Sequence, residues 1–193
     1  MNKLEFDYTI QSLQESGYRN IMPIRQFLKI PNAKKELWDC LSRFVAKPQW
    51  LPEYDDVVAW LENNEGRGLL CLGNCGRGKT LVCSRFIPVL EYLFYKKFVS
   101  CYDAIDLNNK IDEMKQKNLV SVDDIGTESE YLRYGEHRQP FSELVDSSEK
   151  TGMLLLLTTN LTTEQLKQRY GIRTYDRLHK LTKVVQFIGD SLR

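Results

Sequence analysis

The turn Gly73-Asn74-Cys75-Gly76-Arg77-Gly78-Lys79-Thr80 has the spacing G-x-x-x-x-G-K-[ST] and follows an apolar run at 68–72. That order, strand then glycine-framed loop then helix, builds a cradle for phosphate groups. The glycines allow left-handed backbone and close approach to an anion. The loop N–H groups point inward, at the positive end of the following helix. Lys79 supplies a mobile positive charge for the outer phosphates. The Thr80 hydroxyl is placed to ligate Mg²⁺. The loop thus implies nucleotide contacts from Gly73, Asn74, Cys75, Gly76, Arg77, Gly78, Lys79, Thr80 and Leu81.

Two carboxylates, Asp123 and Asp124, end the apolar run 118–122. Strand carboxyl ends face the ligand crevice in a doubly wound sheet. Asp123 is therefore placed to hold Mg²⁺ opposite Thr80, and Asp124 to orient or deprotonate an attacking water. Asn160 emerges after the next strand, where a neutral amide can bridge a γ-phosphate and that water. The same residue could instead cap the helix that follows, because Thr162-Thr163-Glu164 comes next. Further on, Arg173 and Arg177 stand four apart and share a helix face, with Asp176 beside them. They form either a surface ion-pair helix or an arginine offered to the γ-phosphate of a neighbouring subunit.

These residues need a scaffold. The 193-residue chain is long enough for one good-sized core and a modest appendage. Residues 1–65 read as helical, with apolar spacing at 6–15 and 33–46, and Pro52 opening a third helix. From Gly68 onward strands are expected at 68–73, 98–103, 118–123, 153–159 and 183–188. Helices are expected at about 79–96, 105–117, 137–150, 162–171 and 173–181. Short apolar strands alternating with helices predict an α/β fold, with a parallel sheet covered on both faces. Pro88 lies inside the helix after the phosphate loop and predicts a kink near 84–88. The chain divides into a helical N-terminal segment, 1–50, and an ATPase domain, 51–193.

Composition narrows the classes. With 27 basic and 26 acidic residues the net charge is +1, so bulk electrostatics give no argument for DNA, though they leave room for a local patch. No apolar stretch is long enough to span a membrane, and the start is not a signal peptide. The five cysteines do not form a metal-binding pattern. Cys71 and Cys75 read as buried thiols, and the usage fits a reducing cytoplasm. His137 and His179 read as surface or packing residues. The Tyr, Trp and Phe residues of the N-terminal segment read as core.

Taken together, the segments at 73–80, 122–128 (Val-Asp-Asp-Ile-Gly-Thr-Glu), 158–161 (Thr-Thr-Asn-Leu) and 170–178 (Tyr-Gly-Ile-Arg-Thr-Tyr-Asp-Arg-Leu) resemble the AAA+ ATPases of the DnaC/DnaI/IstB group. That group comprises bacterial replicative-helicase loaders and transposition helper ATPases, and the likeness covers about residues 50–193. The resemblance implies a P-loop NTPase of AAA+ type with a five-stranded parallel sheet in the order 5-1-4-3-2. Lys79 and Thr80 would be the Walker A pair, Asp123 and Asp124 the Walker B acids, and Asn160 sensor 1. Arg177 or Arg173 would be the arginine finger, with Arg177 favoured, and Arg193 the sensor 2 arginine. The second acid is Asp where AAA+ proteins at large carry Glu. The stretch 103–117 is short for a group whose loaders carry a helical insertion there for single-stranded DNA contact, which argues against direct DNA binding.

The expected function is therefore a Mg²⁺-dependent ATPase switch that self-associates through its arginine finger and serves a replicative helicase or a transposase. A small-molecule P-loop kinase is the alternative enzyme, but no arginine-rich lid is visible. A nucleotide-dependent adaptor with little hydrolysis is the third class. Residues 1–50 are the expected partner-docking segment, by family analogy alone.

Overall fold

The computed structural model describes residues 3–17, 23–129, 131–133 and 136–192. After helix α1 (Lys3–Glu15) and an extended stretch at 23–30 come α2 (Ala33–Phe44) and α3 (Glu53–Glu62). Strand β1 (Gly68–Gly73) then leads into one helical run. It comprises α4 (Lys79–Leu81), a π-helical turn (Val82–Phe86) and α5 (Ile87–Tyr95). Next are β2 (Ser100–Asp103), α6 (Leu107–Met114), β3 (Leu119–Asp123) and a small hairpin, β4 (Tyr131–Arg133) with β5 (Glu136–Arg138). The chain closes with α7 (Pro140–Thr151), β6 (Leu154–Thr159), α8 (Thr163–Tyr170), α9 (Ile172–Leu181) and β7 (Thr182–Phe187).

The main sheet has five strands in the order β2-β3-β6-β1-β7, all parallel. Counting only these strands, this is the expected order 5-1-4-3-2, read from the other edge. Strand β6, Leu-Leu-Leu-Leu-Thr-Thr, is buried throughout, as a central strand covered on both faces must be. Alternation along β1 divides the core. Leu69 and Cys71 face one layer with Leu37, Leu41, Val57, Trp60 and Phe86. Leu70 and Leu72 face the other with Ile111, Phe141, Leu144, Leu166 and Leu178. Helices α2 and α3 thus share the core of the sheet's first face.

Three local expectations change. Near Pro88 the helix widens into the π turn Val82–Phe86. Pro88 lacks an N–H and its ring crowds the carbonyl one turn earlier, and a wider turn relieves both. The helix expected from 137 begins at Pro140, because residues 136–138 pair with β4 in the hairpin. Proline is well suited to that first turn. The helix expected over 105–117 is shorter, a 3₁₀ turn (Ala104–Asp106) followed by α6.

Candidate functional site

The chain's polar side chains converge at the carboxyl ends of β1, β3 and β6. In the loop after β1, Gly76 and Gly78 take left-handed φ values of 81° and 90°. A Cβ at Gly76 would sit 2.2 Å from Ser191 Oγ and displace that hydroxyl, and the positive φ favours glycine there in any case. Lys79, only 6% exposed, donates to the carbonyls of Gly73 (2.7 Å) and Asn74 (2.8 Å) and to Asn160 Oδ1 (2.8 Å). Burial holds its pKa below the ordinary lysine value, opposed by Cys75, Asp124 and Asp123 nearby.

Across the cleft, Thr80 Oγ1 donates to Asp123 at 2.9 and 3.0 Å. A hydroxyl and a carboxylate side by side are hard oxygen donors, and they suit Mg²⁺ better than a soft metal. Asp124 sits in left-handed backbone, φ 60°, which aspartate tolerates better than most residues. Asn160 Nδ2 donates to Asp124 Oδ1 at 2.7 Å. One amide therefore joins Lys79 to Asp124. Asn160 does not cap α8; Thr162 does, in a reciprocal capping box with Gln165.

Sequence reasoning missed several participants. Thr158, 2% exposed, donates to Asp123 Oδ1 (2.5 Å) and accepts the Asp124 N–H (2.8 Å), so a single hydroxyl fixes both acids. The segment Thr-Thr-Asn carried that signal, but only Asn160 was read from it. Glu128, 6% exposed, accepts from Gly126 N–H (2.8 Å) and from the Tyr170 hydroxyl, and pairs with Arg169. It ties the loop after Asp124 to α8. Burial, together with that carboxylate, pushes the Tyr170 hydroxyl well above the usual phenol range.

Beside the loop lies a cleft of about 540 Å³, whose far wall is Leu41, Val45, Lys47, Gln49 and Tyr54 from α2, α3 and the stretch between them. Apolar walls with a few polar groups suit a flat heterocycle next to the phosphate cradle. No motif marks these five residues.

Other expected site residues lie elsewhere. The Arg77 side chain turns out of the cleft into a buried ion pair with Glu53, with Nε–Oε1 at 3.1 Å and Nη2–Oε1 at 2.5 Å. Only its backbone remains available to a phosphate. Arg177 is held by two acids on α7, Asp146 and Glu149 (3.0 Å). Arg173 is exposed and makes no ion pair with a described residue. Neither arginine lines the cleft. Arg193 lies outside the described residues. Cys75 is exposed, correcting its reading as a buried thiol; the loop lifts it off the strand that buries Cys71. His179 is exposed, with its ring 6.1 Å from that of Tyr175. The side chain of His137 lies outside the described residues. Among the described residues no helix is long and apolar enough to cross a membrane.

Fold and loop together define a P-loop α/β protein of AAA+ topology. Comparison with solved structures agrees. The chain is similar to the DnaC helicase loader, with a TM-score of 0.59 and 17% identity over 80% of this chain and 99% of that one. It is also similar to DnaI, with a TM-score of 0.54 and 19% identity over 84% of this chain and 86% of that one. At such identities the likeness is one of fold. The sequence matches no family model and no curated protein.

Proposed function

We propose that the protein binds ATP with Mg²⁺ at the Lys79 cleft, hydrolyses it, and acts as a helicase-loader-like switch in DNA replication or transposition. The observation that carries this reading is the continuous chain Thr80–Asp123–Thr158–Asp124–Asn160–Lys79, in which every link is 3.0 Å or shorter. Convergence of polar groups from the ends of three strands on one cleft is what a ligand site requires. Loop N–H groups and Lys79 would hold the phosphates. Thr80 and Asp123 would hold Mg²⁺, which when bound neutralises charge on the phosphate oxygens. Asp124 would accept the proton of the attacking water, with Asn160 orienting both. The wall from Leu41 to Tyr54 would receive the base.

Completion of the site falls to a second copy of the chain. Arg177 or Arg173 would reach its γ-phosphate, and Arg177 would first have to leave Asp146 and Glu149. Partner docking, on a helicase or transposase, falls to residues 1–50, where α1 presents Tyr8 at 75% exposure. A deletion test should remove only residues 1–17, since α2 belongs to the core. The reading is tested by phosphate release from Mg-ATP without an acceptor. Asp124→Asn should bind ATP within about threefold of the parent yet release phosphate at least about 100-fold more slowly. Binding with no release from the parent under any condition would leave an adaptor.

A further inference from the structure

Strand β7 is the outer edge of the sheet beside β1, and its two faces are finished differently. On the first face Val185 and Phe187 are buried in the core, and the Tyr54 ring stands 6.4 Å from that of Phe187. On the second face the alternate residues are left half open. Val184 only borders the core there, and Gln186 is exposed. Between them and α9 lies a cavity of about 260 Å³, with Leu70 and Leu72 of β1 beside Val184 as its apolar floor.

Helix α9 supplies the wall. Tyr175 and His179 are four apart, so their rings share a helix face, with centres 6.1 Å apart and planes tilted by 39°. Both line the cavity. Leu178 turns instead into the core, and Arg177 toward α7. Lys167 Nζ lies 4.8 Å from the Tyr175 ring centre and helps to hold that ring in place. Thr163, at the start of α8, closes the cavity.

Two features limit what can occupy this space. Among the described residues no Asp, Glu, Lys or Arg lines it. A charged ligand would shed water there without gaining a counter-charge. The polar side chains, in contrast, are unspent. Those of Thr163, Tyr175, His179 and Gln186 make no hydrogen bond with a described residue. The adjacent Thr162 is fully engaged as the cap of α8. Two hydroxyls, an imidazole and an amide thus bring free donors and acceptors to the rim of an apolar floor. That is the make-up of a small-molecule site.

We infer that this cavity binds an uncharged planar heterocycle that carries a hydrogen-bond donor and acceptor side by side, as a carboxamide or a nucleobase does. Its flat face would lie on Leu72 and Val184, against the Tyr175 and His179 rings. The Gln186 amide would take its edge, because an amide pairs with an adjacent donor and acceptor in two hydrogen bonds. The volume falls just below the range used by drug-sized ligands, which suits a single ring system. The cavity shares no lining residue with the Lys79 cleft, and the inference does not depend on ATP.

The test is methyl NMR of the full chain, labelled at leucine and valine, titrated with nicotinamide and with adenine, with and without Mg-ATP. At least one probe should shift the Leu70, Leu72 and Val184 methyls saturably, with a Kd on the order of 10 μM to 1 mM. Mg-ATP should not displace it, and the tighter probe tells a carboxamide from a nucleobase. Nicotinate, which is charged, and toluene, which has no polar edge, should each bind at least about tenfold more weakly. Gln186→Leu combined with His179→Ala should weaken binding at least about fivefold. Both residues are exposed, so thermal melting should match the parent. Leu41 and Val45 report separately on the Lys79 cleft, so their silence toward Mg-ATP would count against the ATP reading alone. Three results would overturn the inference. These are no saturable shift at Leu70, Leu72 and Val184 with either probe, binding of nicotinate or toluene as tight as that of the probes, or parent-like binding by the double variant.

Discussion

The two ends of the sheet handle polar groups in opposite ways. At the carboxyl end each functional side chain is satisfied by another: Lys79 by Asn160, Asn160 by Asp124, and Asp123 by Thr80 and Thr158. At the amino end the backbone of residues 28–29 is satisfied, through Asn64 and Tyr95, while Phe27 and Lys29 are left to solvent. The first pattern is a preorganised cavity, in which polar groups are aligned before a ligand arrives. The second is a rigid, open platform. The same sheet therefore presents an interlinked polar cluster at one end and an open surface at the other.

The sharpest way to break the contrast is at Lys79. Lys79→Ala removes the donor that spans two loop carbonyls and Asn160, and nucleotide affinity should fall by at least about 100-fold in a fluorescent-analogue titration. Melting temperature should hardly move, because the ammonium crosslinks a loop rather than the core. Thr158→Val comes next. It removes the hydroxyl shared by Asp123 and Asp124, so the Mg²⁺ concentration needed for half-maximal phosphate release should rise roughly tenfold. Thr158→Ser should restore it, which a mere packing role for the methyl group would not explain.

A third test probes a buried acid on α5. Glu91 is 1% exposed on α5, and its carboxylate oxygens have no hydrogen-bond partner among the described residues. Burial raises its pKa from 4.5 to about 7. The folded chain therefore holds a proton that the unfolded chain has lost between those two values. Stability should be full below pH 4.5 as far as this group is concerned, fall as pH rises, and level off above about 7. Glu91→Gln should abolish that decline, raising the melting temperature at pH 8 by roughly 5–10 °C. The smallest effect concerns Arg177. Its ion pairs with Asp146 and Glu149 are partly exposed, so Arg177→Ala should cost under about 1 kcal/mol of stability. Any loss of phosphate release should be greatest at protein concentrations where subunits associate.

How much of this was legible beforehand follows from distance along the chain. The phosphate loop packs its chemistry into eight consecutive residues, and the Asp123-Asp124 pair marks a strand end directly. Strand alternation and apolar runs gave the layers and, with the resemblance, the strand order. What escaped depends on contacts across the fold. Thr158 matters only because β6 lies beside β3, and the Arg77–Glu53 pair joins residues 24 apart. The far wall from Leu41 to Tyr54 comes from α2, α3 and the stretch between them, with no motif. Phe27 was read as core along with the other N-terminal aromatic residues, yet it is 68% exposed. Only the alternating backbone, pinned by Asn64, turns it outward. The π turn before Pro88 was sensed as a disturbance but not as a type, since proline forbids a bond without saying how the helix reroutes the others.

The central claim is that the Lys79 cleft receives a magnesium-bound triphosphate. Isothermal titration of the purified chain with Mg-ATP addresses it most directly. One site per chain is expected, with a Kd on the order of 1–100 μM, and it should vanish in Lys79→Ala while the fold persists. Absence of binding at millimolar Mg-ATP, or equal binding by the Lys79→Ala variant, would contradict the account.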